Sequence, residues 1–369
     1  MTKYIHQYSE YPHFTWDSDK ILDALARVAA KQGKILGKMQ QFGFGDQQMA
    51  MLDALTQEIT KSSEIEGEIL DSGLVRSSLA KRLNIQLNLP LKESHHIDGL
   101  VQTTMDAINN YDKKLTKTRL FGWHAALFPT GFSGMNKIRV GKYRDQEMQI
   151  VSPHIYNARV YYDAPMPNDV PAQMEEFLKW LNAPNNDNPI IKAAVAHLWF
   201  VIIHPFDDGN GRITRIITEM LLARGEQSNL RFYSMSAQIQ HDKSDYYKIL
   251  ERTTTGDTDI TNWILWFLNC LERALDTSQD TVSSVLRKSE FWKHYNTVIT
   301  NPAQREIINR VFDGFVGNMT SGKVAKFLHI SQDTATRLLQ DLTQKGVMEK
   351  QGDGRNTHYV LKFDNPRGI

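Results

Sequence analysis

The chain has 369 residues, 41% of them hydrophobic, enough apolar material for a substantial core and for more than one domain. Its 43 Lys/Arg balance 42 Asp/Glu, so the protein as a whole is not built as a polyanion binder. Cys270 is the single cysteine, which excludes an intramolecular disulfide and fits a reducing compartment; with no run of transmembrane length and no charged-then-apolar leader before Tyr4 to Trp16, a cytoplasmic protein without a membrane partner is expected.

Residues 1–14 hold histidines and tyrosines without metal-ligand spacing and are expected to lie as an arm over the body. Asp17 or Ser18 caps a helix running to about Met39, with Ile21, Leu22, Leu25, Val28 and Ala29 as its apolar stripe. A second helix, Gln48 to Thr60, carries Met49, Met51, Leu52, Leu55 and Ile59 as core positions, and it ends in the polar run Ser62-Ser-Glu-Ile-Glu-Gly67. Helical spacing returns over Asp71 to Leu89, His95 to Tyr111 and Leu120 to Phe128; His124 within the last is read as a core or loop histidine. Gly131 to Pro153 has glycines and partial alternation, which favour a loop and β-hairpin. Asp163 to Pro171 reads as an irregular connection, Ala172 to Leu181 as a helix, and Asn182 to Pro189 as a second turn.

The chemistry concentrates in His204-Pro-Phe-Asp-Asp-Gly-Asn-Gly-Arg-Ile-Thr-Arg215. Ile190 to Ile203 is an apolar helix, and Pro205 closes it so that His204 stands at its exit. Asp208-Gly-Asn-Gly is turn chemistry, and a second helix follows with Ile213, Ile216, Ile217, Met220 and Leu221 at helical spacing. The first turn of such a helix directs unpaired N–H groups into a loop where Gly209 and Gly211 admit a ligand to the main chain, an arrangement that suits a phosphate. Arg212 and Arg215 lie three apart and share one helix face, suited to a polyphosphate; Asn210 offers an amide to another phosphoryl oxygen. Asp208 is a hard oxygen ligand of the kind that holds Mg²⁺ beside phosphates, and His204 is placed to take a proton from a hydroxyl.

The segment from His204 to Arg215 resembles the signature of the Fic (filamentation induced by cAMP) family, His-x-Phe-x-(Asp/Glu)-Gly-Asn-Gly-Arg-x-x-Arg, without a departure. The resemblance implies a mostly helical enzyme that transfers AMP from ATP to a hydroxyl side chain of a protein and releases pyrophosphate. It gives His204 the role of base, Asp208 that of metal ligand and Asn210 the α-phosphate, while Arg212 and Arg215 take the β- and γ-phosphates and Phe206 anchors the loop. Related Doc kinases carry lysine where this chain has Gly211, which favours nucleotidyl transfer here. Ser62, Glu66 and Gly67 match the family's self-inhibitory pattern (Ser/Thr)-x-x-x-Glu-(Gly/Asn), whose glutamate pairs with the second motif arginine. Glu64 and Glu68 lack that spacing and are set aside. The hairpin of 131–153 corresponds to the family's flap, which holds an extended target by main-chain pairing; Tyr143, Gln149 and Val151 are the candidate docking residues, the alternative being a purely structural hairpin. Family members are often oligomeric, so a homodimer and self-modification join the target protein as expected partners.

Ser234 to Gln240 and Ser244 to Thr253 are expected to support the rim, with Tyr246 a nucleotide-binding candidate; Tyr246 and Tyr247 either contact adenine or ribose or are buried with polar handles. Trp263 to Leu275 closes the helical body with Cys270 in its core, and a separate helix runs from Thr281 to Tyr295. Pro302 to Val311, Ser321 to Leu328 and Ser331 to Lys345 read as three helices, followed by a hairpin from Val347 to Lys350 and His358 to Phe363 about Gly352-Asp-Gly354. That order looks like a winged helix-turn-helix. If it reads DNA through 321–363, Thr334, Thr336, Arg337 and Arg355 are the candidates; protein docking is the other use of such a fold. The expected fold is therefore mainly α: a helical region at 1–110 with the inhibitory helix, a Fic core with its flap at 111–275, a linking helix at 276–300 and a winged domain at 301–369. Two other functions remain open: removal of AMP at the same site with Glu66 positioning a water, and a catalytically silent regulator acting through the winged domain.

Overall fold

The pair of helices flanking the His204 loop is central because almost every side chain on both is apolar or internally satisfied. In the computed structural model, which describes residues 3–85, 94–151, 160–184, 188–312, 315 and 317–362, Pro189–Ile203 is buried from Ile190 to Ile203 and Asn210–Glu226 is buried from Arg212 to Ala223. Around them the chain runs through α1 (Ser18–Met39), α2 (Phe44–Ile65), α3 (Ser72–Arg82), α4 (His95–Asn109), α5 (Lys117–Leu127), two short strands β1 (Phe132–Ser133) and β2 (Asn136–Lys137), then β3 (Gln149–Val151), β4 (Val160–Asp163) and α6 (Val170–Asn182). The central pair are α7 and α8; α9 (Met235–His241), α10 (Lys243–Thr254) and α11 (Thr261–Tyr295) follow. Helix α7 packs along α8, α4 packs on α8 and α5, α2 on α3 and α9, and α6 on α7.

Local chemistry sets these limits. Asp17, not Ser18, caps α1, accepting from the N–H groups of Asp19 and Lys20. Asn188 caps α7 ahead of Pro189, and the helix stops where His204 takes a left-handed conformation at φ +49° before Pro205. Helix α2 runs to Ile65, past the expected Thr60, and so brings Ser62 inside the helix and Glu66 to its cap. The expected arm is present: His6 Nδ1 lies 3.0 Å from the Tyr162 hydroxyl, and Trp199 Nε1 donates to the Tyr11 hydroxyl at 3.1 Å.

Two expectations about the strands change. The hairpin foreseen within 131–153 is the small β1–β2 pair, whereas β3 finds its partner beyond that range in β4, with Gln149 opposite Asp163 and Ile150 opposite Tyr162. Asp163, expected to open an irregular connection, instead ends β4, in which Tyr162 turns inward and sends its hydroxyl to Ile202 O at 2.9 Å. Pro153 and Leu89, expected ends of a hairpin and a helix, lie outside the described residues, as do Phe363 and the side chains of Val151 and Arg355.

The chain divides into two compact units, Met1–Gln279 and Asp280–Ile369. The separate helices expected on either side of residues 276–280 are one helix, α11, because the polar stretch after Leu275 contains no proline or glycine to stop it. The second unit contains α12 (Pro302–Phe312), α13 (Ser321–Leu328), α14 (Gln332–Gln344) and the antiparallel pair β5 (Met348–Gln351) and β6 (His358–Leu361), with Met319 bridging Tyr359 beside that pair. Its core gathers Ile307, Ile308, Val324, Leu339, Leu342 and Val347. Among the described residues no helix is long and apolar enough to cross a membrane.

Candidate functional site

The loop between α7 and α8 is rigid because its polar atoms are spent on itself. Phe206 is fully buried, with its ring 4.2 Å from that of His124 and nearly parallel to it. The Asn210 amide closes the loop from the other side, donating to Phe206 O at 2.7 Å and accepting from Phe206 N at 2.9 Å. Each end of the Asn210 amide thus makes one bond within the loop, and the second N–H of Nδ2 is left to donate to an anion beside the main chain of residues 210–212. Their N–H groups have no acceptor among the described residues, as the first turn of a helix leaves them. Gly209 sits at φ +80°, and a Cβ there would lie 2.7 Å from the Phe128 ring. Replacing Phe206 by alanine is expected to lower stability by about 3–5 kcal/mol in denaturant unfolding, the usual consequence of emptying a buried ring site; a loss below ~1 kcal/mol would mean that the ring is not what anchors the loop.

His204 is held by its backbone and by one ring nitrogen. Its carbonyl accepts from Arg144 Nε at 2.8 Å, and Arg144 N donates to Pro205 O at 2.9 Å. Nδ1 lies 3.2 Å from Val201 O, a carbonyl that can only accept, so the proton belongs on Nδ1 and the Nε2 lone pair is left to receive one. Burial is the main cause that pulls the imidazole down to about 4, with the Arg144 charge adding to it; the Val201 contact and the Glu66 and Asp208 charges act in the opposite sense. The side chain is therefore neutral at physiological pH.

Asp208 projects a half-exposed carboxylate that accepts from Gly209 N at 2.5 Å and from the Ser133 hydroxyl, with Arg212 at 3.9 Å. His124 ties this loop to the preceding segment. Its Nε2 donates to Asp208 O at 3.2 Å, and its Nδ1 accepts from Gly141 N at 3.0 Å.

Arg212 and Arg215, the arginines of the first two turns of α8, are held by carboxylates. Arg215, 2% exposed, donates from Nε to Ser62 Oγ at 2.8 Å and from one terminal nitrogen to Ser62 O at 2.8 Å and Glu66 Oε1 at 2.7 Å. Burial works to lower its pKa, but the Glu66 carboxylate and nearby tyrosines outweigh that and hold it raised. Gly67, at φ +85°, turns the chain after Glu66. Gly211 makes room for the contact: a Cβ there would lie 2.0 Å from Glu66 Oε1. Arg212 lies over the Phe128 ring at 4.9 Å and donates to Glu68 Oε2 at 3.0 Å, while Glu68 Oε1 sits 2.6 Å from His96 Nε2. The His96 contact, followed by the His96 and Arg212 charges, keeps the Glu68 carboxyl below its ordinary value.

Other expected residues fall elsewhere. Tyr246 is 2% exposed and its hydroxyl sits 3.0 Å from His197 Nε2, so it has no face to offer a base; its neighbour Tyr247 is the exposed ring, with its hydroxyl 3.5 Å from Ile65 O. Tyr143 is buried with its ring 4.8 Å from Phe121, and burial pushes its hydroxyl up to about 12, so it supports the loop rather than lining a docking edge. Gln149 is exposed on β3, and Val151 pairs with Val160 across a register shift. Sequence reading missed Arg144, His96, Ser133 and Glu68; only the alternation of Glu64, Glu66 and Glu68 hinted at the last.

A helical body thus presents a neutral imidazole and a half-exposed carboxylate on one loop, and a helix N-terminus with two guanidinium groups directly after it, which is equipment suited to moving a phosphorus-centred group to a hydroxyl. The described residues include no group of three or more His, Cys, Asp or Glu able to hold a metal alone, so a cation here needs ligand oxygens besides Asp208.

Residues 114–222 match the Fic/DOC family model and residues 4–85 match a domain of unknown function, DUF4172. The chain therefore carries a Fic-family domain around this site. It is 26% identical over 231 residues to the protein adenylyltransferase Fic of Nematostella vectensis, covering 62% of this chain and 49% of that one. With the protein of the same name from Culex quinquefasciatus it shares 29% over 264 residues, 70% of this chain and 46% of the relative. The chain spans about half the length of these curated relatives. In fold it is similar to a Fic family protein from Desulfovibrio desulfuricans, with TM-score 0.55, 18% identity, and coverage of 93% of this chain and 97% of that one. It is also similar to a Fic domain containing signaling protein from Bacteroides thetaiotaomicron, with TM-score 0.52, 21% identity, and coverage of 70% and 97% respectively.

Proposed function

We propose that the chain is a protein adenylyltransferase, restrained by its own α2, that moves AMP from ATP to a serine, threonine or tyrosine hydroxyl of a target protein. The observation that carries this is His204 with its Nδ1 against the Val201 carbonyl and, among the described residues, no partner on Nε2, six residues ahead of a helix start whose N–H groups likewise lack acceptors there. The target hydroxyl gives its proton to Nε2 as its oxygen bonds to the α-phosphorus; the bond from that phosphorus to the α–β bridging oxygen breaks, and pyrophosphate leaves with the electron pair. The main-chain N–H groups of residues 210–212 orient the α-phosphate, and Arg212 and Arg215 take the outer phosphates once their carboxylate partners release them. Asp208 fits Mg²⁺, which commonly binds through one carboxylate together with substrate phosphates and would neutralise charge on the leaving pyrophosphate. ATP labelled at the α-phosphate tests the reading: the label stays on protein if AMP is transferred, whereas kinase transfer leaves protein labelled only from the γ-position.

Strand β3 is proposed as the edge along which a target lies extended, because it pairs only with β4 among the described residues and Gln149 is exposed on it. Substituting Gln149, whose N–H faces away from β4, by proline is expected to reduce transfer to a target about fivefold, the value of one lost main-chain hydrogen bond, while ATP affinity stays within about twofold. Equal losses in both would instead indicate a misfolded loop.

Glu66 resting on Arg215 also supports a second reading, removal of AMP from a modified protein with Glu66 orienting the attacking water. A pre-modified target should then lose AMP only when Glu66 is present. The second unit we read as a winged helix, from its order of three helices and a hairpin with Met319 bridging its edge. Thr334 and Arg337 are exposed on α14, and Thr336 returns its hydroxyl to Gln332 O. DNA binding through this unit would weaken steeply with added salt, and protein docking would not.

A further inference from the structure

We propose that Glu68 is a second restraint, and that Glu66 and Glu68 together make the resting site select nucleotides by the length of their phosphate chain, favouring a nucleoside monophosphate over di- and triphosphates. The inference rests on the nucleotide reading above and deepens it.

The two carboxylates flank Gly67, whose φ of +85° turns the backbone between them, and each faces a different arginine of the first turns of α8. Arg212 and Arg215 are three residues apart, a rise of about 4.5 Å along the helix, so an anion chain entering at the helix start meets Arg212 first and Arg215 next. Glu68 stands at the first of these positions and Glu66 at the second. Among the described residues nothing comparable covers the N–H groups of residues 210–212, which suit a single phosphate.

Glu68 is also well braced. His96 approaches its other oxygen at 2.6 Å, and the second ring nitrogen of His96 lies 3.2 Å from Leu127 O, so the carboxylate is gripped from α4 while it grips α8. Arg212 is 6% exposed, and among the described residues its Nε has no partner and Glu68 is the only close carboxylate contact of that guanidinium, Asp208 standing off at 3.9 Å. A buried cation with one close counter-charge is freed for an incoming phosphate when that charge goes. Glu66→Gly by itself frees Arg215 and leaves Arg212 occupied.

Calorimetric titration of the full chain with AMP, ADP and ATP in Mg²⁺ tests this, comparing the native protein with Glu68→Gln, Glu66→Gly and the double variant. Glutamine keeps the shape of the side chain and removes the charge, and Glu68→Asp, which keeps the charge but shortens the reach, serves as the second variant. The native chain should prefer AMP. Glu68→Gln and Glu68→Asp should each tighten ADP relative to AMP by about tenfold, the scale of one charge-assisted hydrogen bond. Glu66→Gly should tighten ATP relative to ADP, and the double variant should show both gains. An unchanged ADP-to-AMP ratio in both Glu68 variants, alongside a gain for Glu66→Gly, overturns the role of Glu68 and leaves the transferase reading standing. Absence of binding by all three nucleotides in every variant overturns both.

Discussion

His204→Ala is expected to lower AMP transfer by about 10²–10⁴-fold, the range in which a positioned general base acts, when measured in a Glu66→Gly background where Arg215 is released. The imidazole is the only group on the loop with a bare lone pair and a neutral resting state, since the carboxylate of Asp208 is engaged by Gly209 and Ser133. Position 204 adopts φ +49°, which alanine tolerates poorly, so His204→Asn is the companion variant: asparagine accepts that backbone and cannot act as the base. ATP affinity should be nearly unchanged in both, because the N–H groups and arginines remain. Retention of more than about a tenth of the transfer rate would remove His204 from the chemistry.

The acidity of this group gives a separate check. Burial holds it near 4, so protonation begins only well below the ordinary histidine value. As pH falls from about 7.5 to about 5.5, kcat/KM of the free enzyme should show no loss from His204, whereas an unperturbed imidazole would be half protonated near 6.5. Removing Glu66 takes away one of the influences that raise this pKa, which shifts the expected inflection further from neutrality. A drop centred at 6.5 that is absent from His204→Asn would contradict the buried neutral form.

How much of this was readable in the sequence follows from how locally each part is encoded. The stretch His204 to Arg215 is legible because a helix stop, a glycine turn and a helix start lie within twelve residues, and the geometry they force is local. The partners that hold it are remote. Arg144 meets His204 from 60 residues away and His124 meets Asp208 from 84, and a lone arginine or histidine in those settings carries no spacing signal. Asn210 reads from its spacing only as a donor to phosphate; that its carbonyl and one N–H also close the tight loop on Phe206 depends on a turn geometry the spacing does not show. Tyr246 was also recoverable: with Leu250 and Thr253 it follows helical periodicity on the buried face of α10, which leaves Tyr247 outside. Glu68 was passed over since alternating glutamates resemble a solvated face, and only the turn at Gly67 reveals that two of them converge on one helix.

Glu66→Gly should raise AMP transfer by roughly 10–100-fold at saturating ATP and target, the span set by one hydrogen bond between charged groups and by the cost of misplacing reacting atoms by about 1 Å. The argument turns on which contacts of Arg215 survive. Ser62 Oγ and Ser62 O still engage the guanidinium, so the arginine keeps its position, but the negative charge that both occupies it and repels an incoming phosphate is gone. Glu66 caps α2 with φ −83° and ψ 4°, a conformation glycine adopts freely, and the loss of stability there should stay near 1 kcal/mol or below. The nearby position 211 shows how closely the restraint is fitted. A side chain at Gly211 would drive Glu66 Oε1 away but would also press on Arg215 at 3.2 Å, so Gly211→Ala should release the carboxylate without restoring full transfer. Labelling with α-phosphate-tagged ATP at equal protein concentrations measures both variants, and unchanged turnover in Glu66→Gly would leave the contact with Arg215 a structural one.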